Sequence, residues 1–159
     1  MSEFATFLSA TERCVNQCKT MLEFEQEKRQ ALLSDDLDRL ESMIQAQQAA
    51  IMKLESLEKM RLEAQESAGY HRMTADEILE LLDDGPDRET LARQMAELRQ
   101  TMEEIRYHNN KAMEIARANL QIVNILATGK EQRDPQGVYK PKTAGSSNWQ
   151  GGSSFEKKI

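Results

Sequence analysis

Neither glycine nor proline occurs from residue 1 to 68, and neither occurs from 87 to 128. Both residue types break helices, glycine through its backbone freedom and proline through its missing N–H, so long runs without them leave the α-helix as the favoured regular structure. Gly69, Gly85 and Pro86 mark a middle connector, and the remaining five glycines and two prolines all fall in the last 31 of 159 residues. This map alone divides the chain into two helical blocks, a connector and a tail.

Apolar spacing resolves the blocks into helices. Phe4, Phe7/Leu8, Thr11, Cys14/Val15, Cys18, Met21/Leu22, Glu25 and Leu32 recur at steps of three and four, which places them on one helix face. Ser34 or Asp35 is positioned to cap a second helix, whose expected stripe is Leu37, Leu40, Ile44, Gln47, Ile51, Leu54, Leu57 and Arg61, with Gly69 as its stop. Thr74-Ala75-Asp76-Glu77 reads as a capping box before a short helix carrying Ile78, Leu79, Leu81 and Leu82. Asp87 is the expected cap of the last helix, whose stripe is Leu91, Met95, Leu98, Met102, Ile105, Asn109, Ala112, Ala116, Asn119, Val123 and Leu126.

The expected architecture is all-α: an elongated antiparallel bundle of three long helices plus one short helix, with a disordered C-terminal tail. The helices are expected at about 3–33, 35–68, 74–83 and 87–128, within a bundle over 1–128 and a flexible tail over 129–159. Helices of roughly 30–40 residues are on the order of 45–60 Å long, and narrow stripes of this kind need a neighbouring helix to be stable.

Composition excludes several functions. Aromatics are only 5% of the chain and charged residues 30%, a mixture suited to slender helices. The net charge of −6 argues against bulk nucleic-acid binding, which needs clustered Lys and Arg. The tail carries Lys130, Arg133, Lys140, Lys142, Lys157 and Lys158 against Glu131, Asp134 and Glu156, a net +3, which leaves −9 for the remainder. No apolar run is long enough to span a bilayer, and Met1-Ser2-Glu3-Phe4 lacks the features of a secretory signal, so a cytoplasmic location is expected.

No catalytic or metal-binding constellation stands out. His71 and His108 belong to no HExxH pattern, and Glu104 precedes His108 by four residues where a di-iron bundle uses three. Cys14 and Cys18 lie four apart on one helix face, a poor geometry for a disulfide, and read as small core residues. No enzyme activity and no cofactor are expected.

One segment exceeds what a bundle requires. From Ala118 to Thr128 no residue is charged. At about 100° per residue the apolar arc of this stretch covers on the order of 240°, whereas a bundle helix needs little more than 100°. Ala112, Ala116, Val123 and Leu126 continue the internal stripe; Met113, Ile115, Leu120, Ile122 and Ile125 are surplus. Two readings follow. The surplus is wrapped by other helices or buried in a homodimer, or it docks another protein's helix.

The stretch Leu22-Glu23-Phe24-Glu25-Gln26-Glu27-Lys28-Arg29-Gln30-Ala31-Leu32, followed by Asp36-Leu37-Asp38-Arg39-Leu40, resembles the FlgN-type flagellar export chaperones. Family members show an E-x(5)-AL element, an Asp-rich step, and a helix ending in a Leu/Glu/Arg cluster, here Leu54-Glu55-Ser56-Leu57-Glu58-Lys59-Met60-Arg61. Asn109-Asn110 before an apolar run, and a Tyr soon after that helix, are also similar; the likeness covers about residues 1–140. It implies a cytoplasmic chaperone of flagellar type III export that binds the C-terminal helical segments of hook-associated junction proteins, prevents their premature assembly and delivers them to the export apparatus. Client binding in the C-terminal half would fall on Met113, Ile115, Leu120, Ile122, Val123, Ile125 and Leu126, and Tyr139 would dock on the export gate. The competing reading is a structural coiled-coil homodimer or scaffold with no export client.

Overall fold

A computed structural model describes residues 2–129. Four helices follow in order: α1 (Glu3–Leu33), α2 (Leu37–Ser67), α3 (Ala75–Leu81) and α4 (Pro86–Thr128). The described residues are helical apart from short connections, and they contain no strand. The expected tail lies outside the described residues, apart from Gly129.

The helix ends have identifiable local causes. Ser2 caps α1 by accepting from the Ala5 N–H at 3.1 Å. At the α1–α2 corner Asp35 takes a left-handed conformation, φ 52°, which Asp tolerates better than most side chains. The Asp36 N–H reaches back to the Ala31 carbonyl at 3.3 Å, while its carboxylate accepts from the Arg39 N–H at 3.0 Å. One residue thus closes α1 and opens α2. This corrects the expected cap: Ser34 instead bonds back to the Gln30 carbonyl, and Asp35 is occupied by the turn.

Gly69, at φ 92°, supplies the left-handed turn after α2, with its N–H on the Glu66 carbonyl and that of Tyr70 on the Gln65 carbonyl, at 3.0 and 3.1 Å. Thr74 and Glu77 form the reciprocal capping box at the start of α3. For α4 the expected Asp87 cap is also corrected. Gly85 is the cap residue and has no side chain to donate or accept, so Pro86 begins the helix with its fixed φ and Asp87 lies within the first turn.

α1 is the central element and packs along both α2 and α4. Its contacts with α4 advance in the same chain order, from Leu8–Gln94 to Lys28–Asn109 to Leu32–Asn119. Its contacts with α2 run in the opposite order: Gln17 reaches Ala50, and Glu25 reaches Gln47.

Among the described residues the core holds three apolar clusters in succession. Phe7, Ala75, Ile78, Leu91 and Met95 anchor the first, where α3 seals the end of α1 and α4; Phe4 stacks edge-on against Phe7 and Tyr70 with ring centroids 5.8 and 5.7 Å apart. Val15, Cys18 and Leu98 form the second, and Met21, Ala50 and Ile105 the third. The seam of α2 differs from expectation. Met43, Gln47, Ala50, Leu57, Arg61 and Gln65 are buried, whereas Leu37 and Ile44 face solvent. Small Ala50 and flexible Met43 occupy the face nearest α1, and the branched side chains Ile44 and Ile51 turn to its flanks.

Candidate functional surface

Beyond the third cluster the interior becomes polar. Glu25, fully buried, pairs with Lys28, whose Nζ lies 2.8 Å from one carboxylate oxygen. Lys28 also donates to Asn109 Oδ1 at 3.3 Å and reaches Gln47 Oε1 at 3.5 Å, while Gln47 Nε2 donates to Glu25. All three long helices meet in this layer. A buried ion pair costs desolvation that its Coulomb attraction only partly returns, and the hydrogen bonds of this layer tie the three helices together at one register. Past it, among the described residues, only Ala31, Met43 and Ala112 are buried.

α1 then ends while α4 continues. The last polar tie between them is Asn119 Nδ2 donating to the Leu32 carbonyl at 3.5 Å. α4 runs nine residues further, to Thr128, on the order of 13 Å at the helical rise. Every residue from 120 to 129 is exposed. Gly129, at φ 61°, closes the helix with its N–H on the Ile125 carbonyl at 2.9 Å.

The residues singled out from sequence fall on this overhang and its base. Ile115 is half-buried; Met113, Leu120, Ile122, Val123, Ile125 and Leu126 are exposed, Leu126 to 79% and Val123 to 59%. The expectation that Val123 and Leu126 continue the internal stripe is corrected. The stripe's period is intact, but no helix of the described chain extends far enough to cover its end. Ala112 is buried and Ala116 half-buried, so the seam fades within about one turn after Ala112. The other expected site residue, Tyr139, lies outside the described residues.

The overhang gathers aliphatic side chains on several faces of one uncovered helix. Burying one such side chain completely stabilises by roughly 1.5–3 kcal/mol. The overhang therefore exposes apolar side chains worth several kcal/mol of contact were they to be buried. It holds no titratable group between Ala118 and Thr128, so proton transfer has no agent there.

Elsewhere the two thiols and the Glu97 ion pairs have structural settings. Burial pushes the Cys14 thiol up to about 11 and the Cys18 thiol up to about 12, which leaves both protonated and unreactive at neutral pH. On the surface, Lys19 bonds to Glu97 at 2.9 Å and Arg93 bonds to the same carboxylate at 3.0 Å. The Lys19 and then the Arg93 hydrogen bonds hold the Glu97 carboxyl below the usual range. Among the described residues no group of three His, Cys, Asp or Glu is placed to hold a metal ion, and no helix is long and apolar enough to cross a membrane.

The periodicity does not single out as exposed the corner residues Leu33 and Leu37, which are 63% and 76% exposed on either side of the α1–α2 turn. Leu37 keeps the period of the expected stripe, but its position at the first residue of α2, ahead of the first covered turn, leaves it in solvent.

Against known families, the model described as FlgN protein matches residues 1–144. No curated protein and no solved structure matches the chain.

Proposed function

The chain belongs to the FlgN family, a family of flagellar export chaperones, and from that premise we propose that it is a cytoplasmic type III export chaperone for hook-associated proteins of the hook–filament junction. Its role is to bind their C-terminal helical segments, hold them unassembled and bring them to the export apparatus. No chemical reaction, cofactor, nucleic acid or membrane insertion enters this reading.

One observation carries it: α4 runs past the end of α1 with its aliphatic side chains uncovered. A subunit that polymerises through a helical segment presents an apolar face, and covering that face on Leu120, Ile122, Val123, Ile125 and Leu126 blocks self-assembly while lowering the free energy of both surfaces. Met113 and Ile115, at the base, extend the contact towards the bundle. Straight and branched side chains together let the face adapt to more than one client.

Calorimetric titration with the C-terminal segment of a hook-associated protein tests this reading. Leu120→Asp together with Val123→Asp places two carboxylates in the contact, and the affinity should fall by about a hundredfold or more. Helicity should be unchanged, because both side chains are already in solvent. Unaltered affinity in the double variant would remove α4 as the docking face.

The same uncovered arc also suits the second reading, a homodimer that buries it without any client. Sedimentation separates the two: a mass that stays monomeric across concentrations supports the chaperone, and a tight dimer supports the structural coiled coil. Tyr139 is proposed to engage the export apparatus. Tyr139→Ala should lower client secretion and leave client affinity unchanged; equal secretion would dismiss that role.

A further inference from the structure

The α1–α2 corner stands at the same end of the molecule as the α4 overhang. Leu32 and Asn119 are in hydrogen-bond contact, so Leu33 and the turn at 34–36 lie at the foot of the overhang. Leu33 and Leu37 flank that turn, both more than half exposed. Exposed apolar side chains therefore stand on two neighbouring surfaces, a wall made by the α4 overhang and a floor made by the corner at its foot. The floor has a charge that the wall lacks. Residues 34–41 include Asp35, Asp36, Asp38 and Glu41 against Arg39, a net −3, and all five are exposed. Asp36 is engaged in capping α2, while Asp35, Asp38 and Glu41 enter no ion pair among the described residues.

We infer that the corner completes the docking seat begun by α4, and that its occupant is an amphipathic helix of the client bearing Lys or Arg along the flank that faces the corner. The inference rests on the reading of α4 given above. A helix lying between wall and floor sets its apolar face against Leu120 and Val123 on one side and Leu33 and Leu37 on the other. Its cations then stand over Asp35, Asp38 and Glu41. A second copy of this chain fits the seat less well, because it would bring its own acidic corner against the first.

The test uses the full chain and two synthetic helical peptides of roughly 18 residues, long enough to span the seat. Both carry one Leu-rich face; one is flanked by Lys and the other by Glu. At low salt the Lys-flanked peptide should bind about tenfold tighter or better, read by fluorescence anisotropy. Asp35→Asn, Asp38→Asn and Glu41→Gln together should bring the two affinities to within about twofold. Leu33→Ser with Leu37→Ser should weaken the Lys-flanked peptide by about fivefold or more with helicity unchanged, since both side chains are exposed.

Equal affinity for the two peptides, or no effect of the Leu33 and Leu37 substitutions, overturns the inference. Sedimentation of the chain as a tight dimer does so too, by assigning the seat to a second copy. A tenfold gain in affinity on replacing Trp149 and Phe155 with Ser also overturns it, by assigning the seat to the chain's own tail. The Leu120→Asp, Val123→Asp variant keeps the two levels apart. Loss of peptide binding there, with silent corner variants, leaves α4 as the docking face and removes only the corner. Unchanged binding there removes the α4 reading itself.

Discussion

The two ends of α4 carry similar apolar stripes and have opposite fates. From Leu91 to Ile105 its stripe is sealed: Leu91, Met95, Leu98 and Ile105 pack against α1 and its neighbours. From Leu120 to Leu126 comparable aliphatic side chains stand in solvent. The period and type of the stripe residues do not separate the two halves. Neighbour length does, because α1 and α2 each span 31 residues and α4 spans 43. An apolar residue is core only where another element reaches it. The same chemistry that stabilises the fold at one end of the helix is left available for binding at the other.

The contrast can be broken most sharply with thiols. Cys14 and Cys18 are sealed in the packed half with their thiols pushed up to about 11 and about 12. A reporter introduced by Leu126→Cys should react with a disulfide reagent at pH 8 on the order of a thousandfold faster than either native thiol. Comparable rates at all three positions would mean that the packed half opens as readily as the overhang.

Truncation tests the comparison energetically. Leu98→Ala should destabilise by about 2–5 kcal/mol, because it leaves a cavity among Val15, Cys18 and Leu98. Leu126→Ala should change stability by less than about 0.5 kcal/mol. Denaturant unfolding of the two variants gives both numbers, and similar costs would contradict the assigned exposure.

The polar layer that divides the packed clusters from the distal end sharpens the boundary. Lys28→Met leaves the Glu25 carboxylate buried beside Gln47 and Asn109 and should cost about 2–3 kcal/mol. Lys28 keeps some exposure, which holds the figure below that for a sealed pair. Replacing Glu25, Lys28, Gln47 and Asn109 together with Leu or Met should recover that loss or exceed it. If the apolar layer were instead less stable than Lys28→Met, the register role assigned to the layer would be wrong.

A small effect is expected at Glu97, which braces α1 to α4 through Lys19 on the surface. Its carboxyl is held below its ordinary value of 4.5, so its contribution is complete above that pH and is lost as the pH falls through the lower native value. Glu97→Gln should shift the melting temperature by only about 2 °C at neutral pH, and by less in acid. A larger shift would place the brace among the main supports of the packed half.

Much of the fold is legible in the residues. The glycine and proline map separates the blocks; Thr74 and Glu77 announce α3, and the seam of α1 falls where its period puts it, with Phe7, Thr11, Cys14, Cys18, Met21 and Glu25 buried. Periodicity fails in two identifiable places. In α2 it selects Leu37 and Ile44, both exposed, because period does not weigh the close approach that Ala50 and Met43 permit. In α4 it carries the stripe on to Val123 and Leu126, because period does not report where the neighbouring helix stops. Glu25, Gln47 and Asn109 lie at stripe positions, but their meeting with Lys28 depends on the relative register of three helices, which no single stripe contains. The over-wide arc after Ala112 was visible from sequence, and its exposure follows from helix lengths rather than from composition.

Hydrogen exchange along α4, with and without the C-terminal segment of a hook-associated protein, tests the docking face most directly. In the free chain the amides of 91–105 should be protected, while those of 120–128 exchange rapidly. On adding the client segment, protection should appear at 113–128 and remain unchanged at 91–105. Strong protection of 120–128 before any client is added, or client-induced protection confined to other parts of the bundle, would contradict the account.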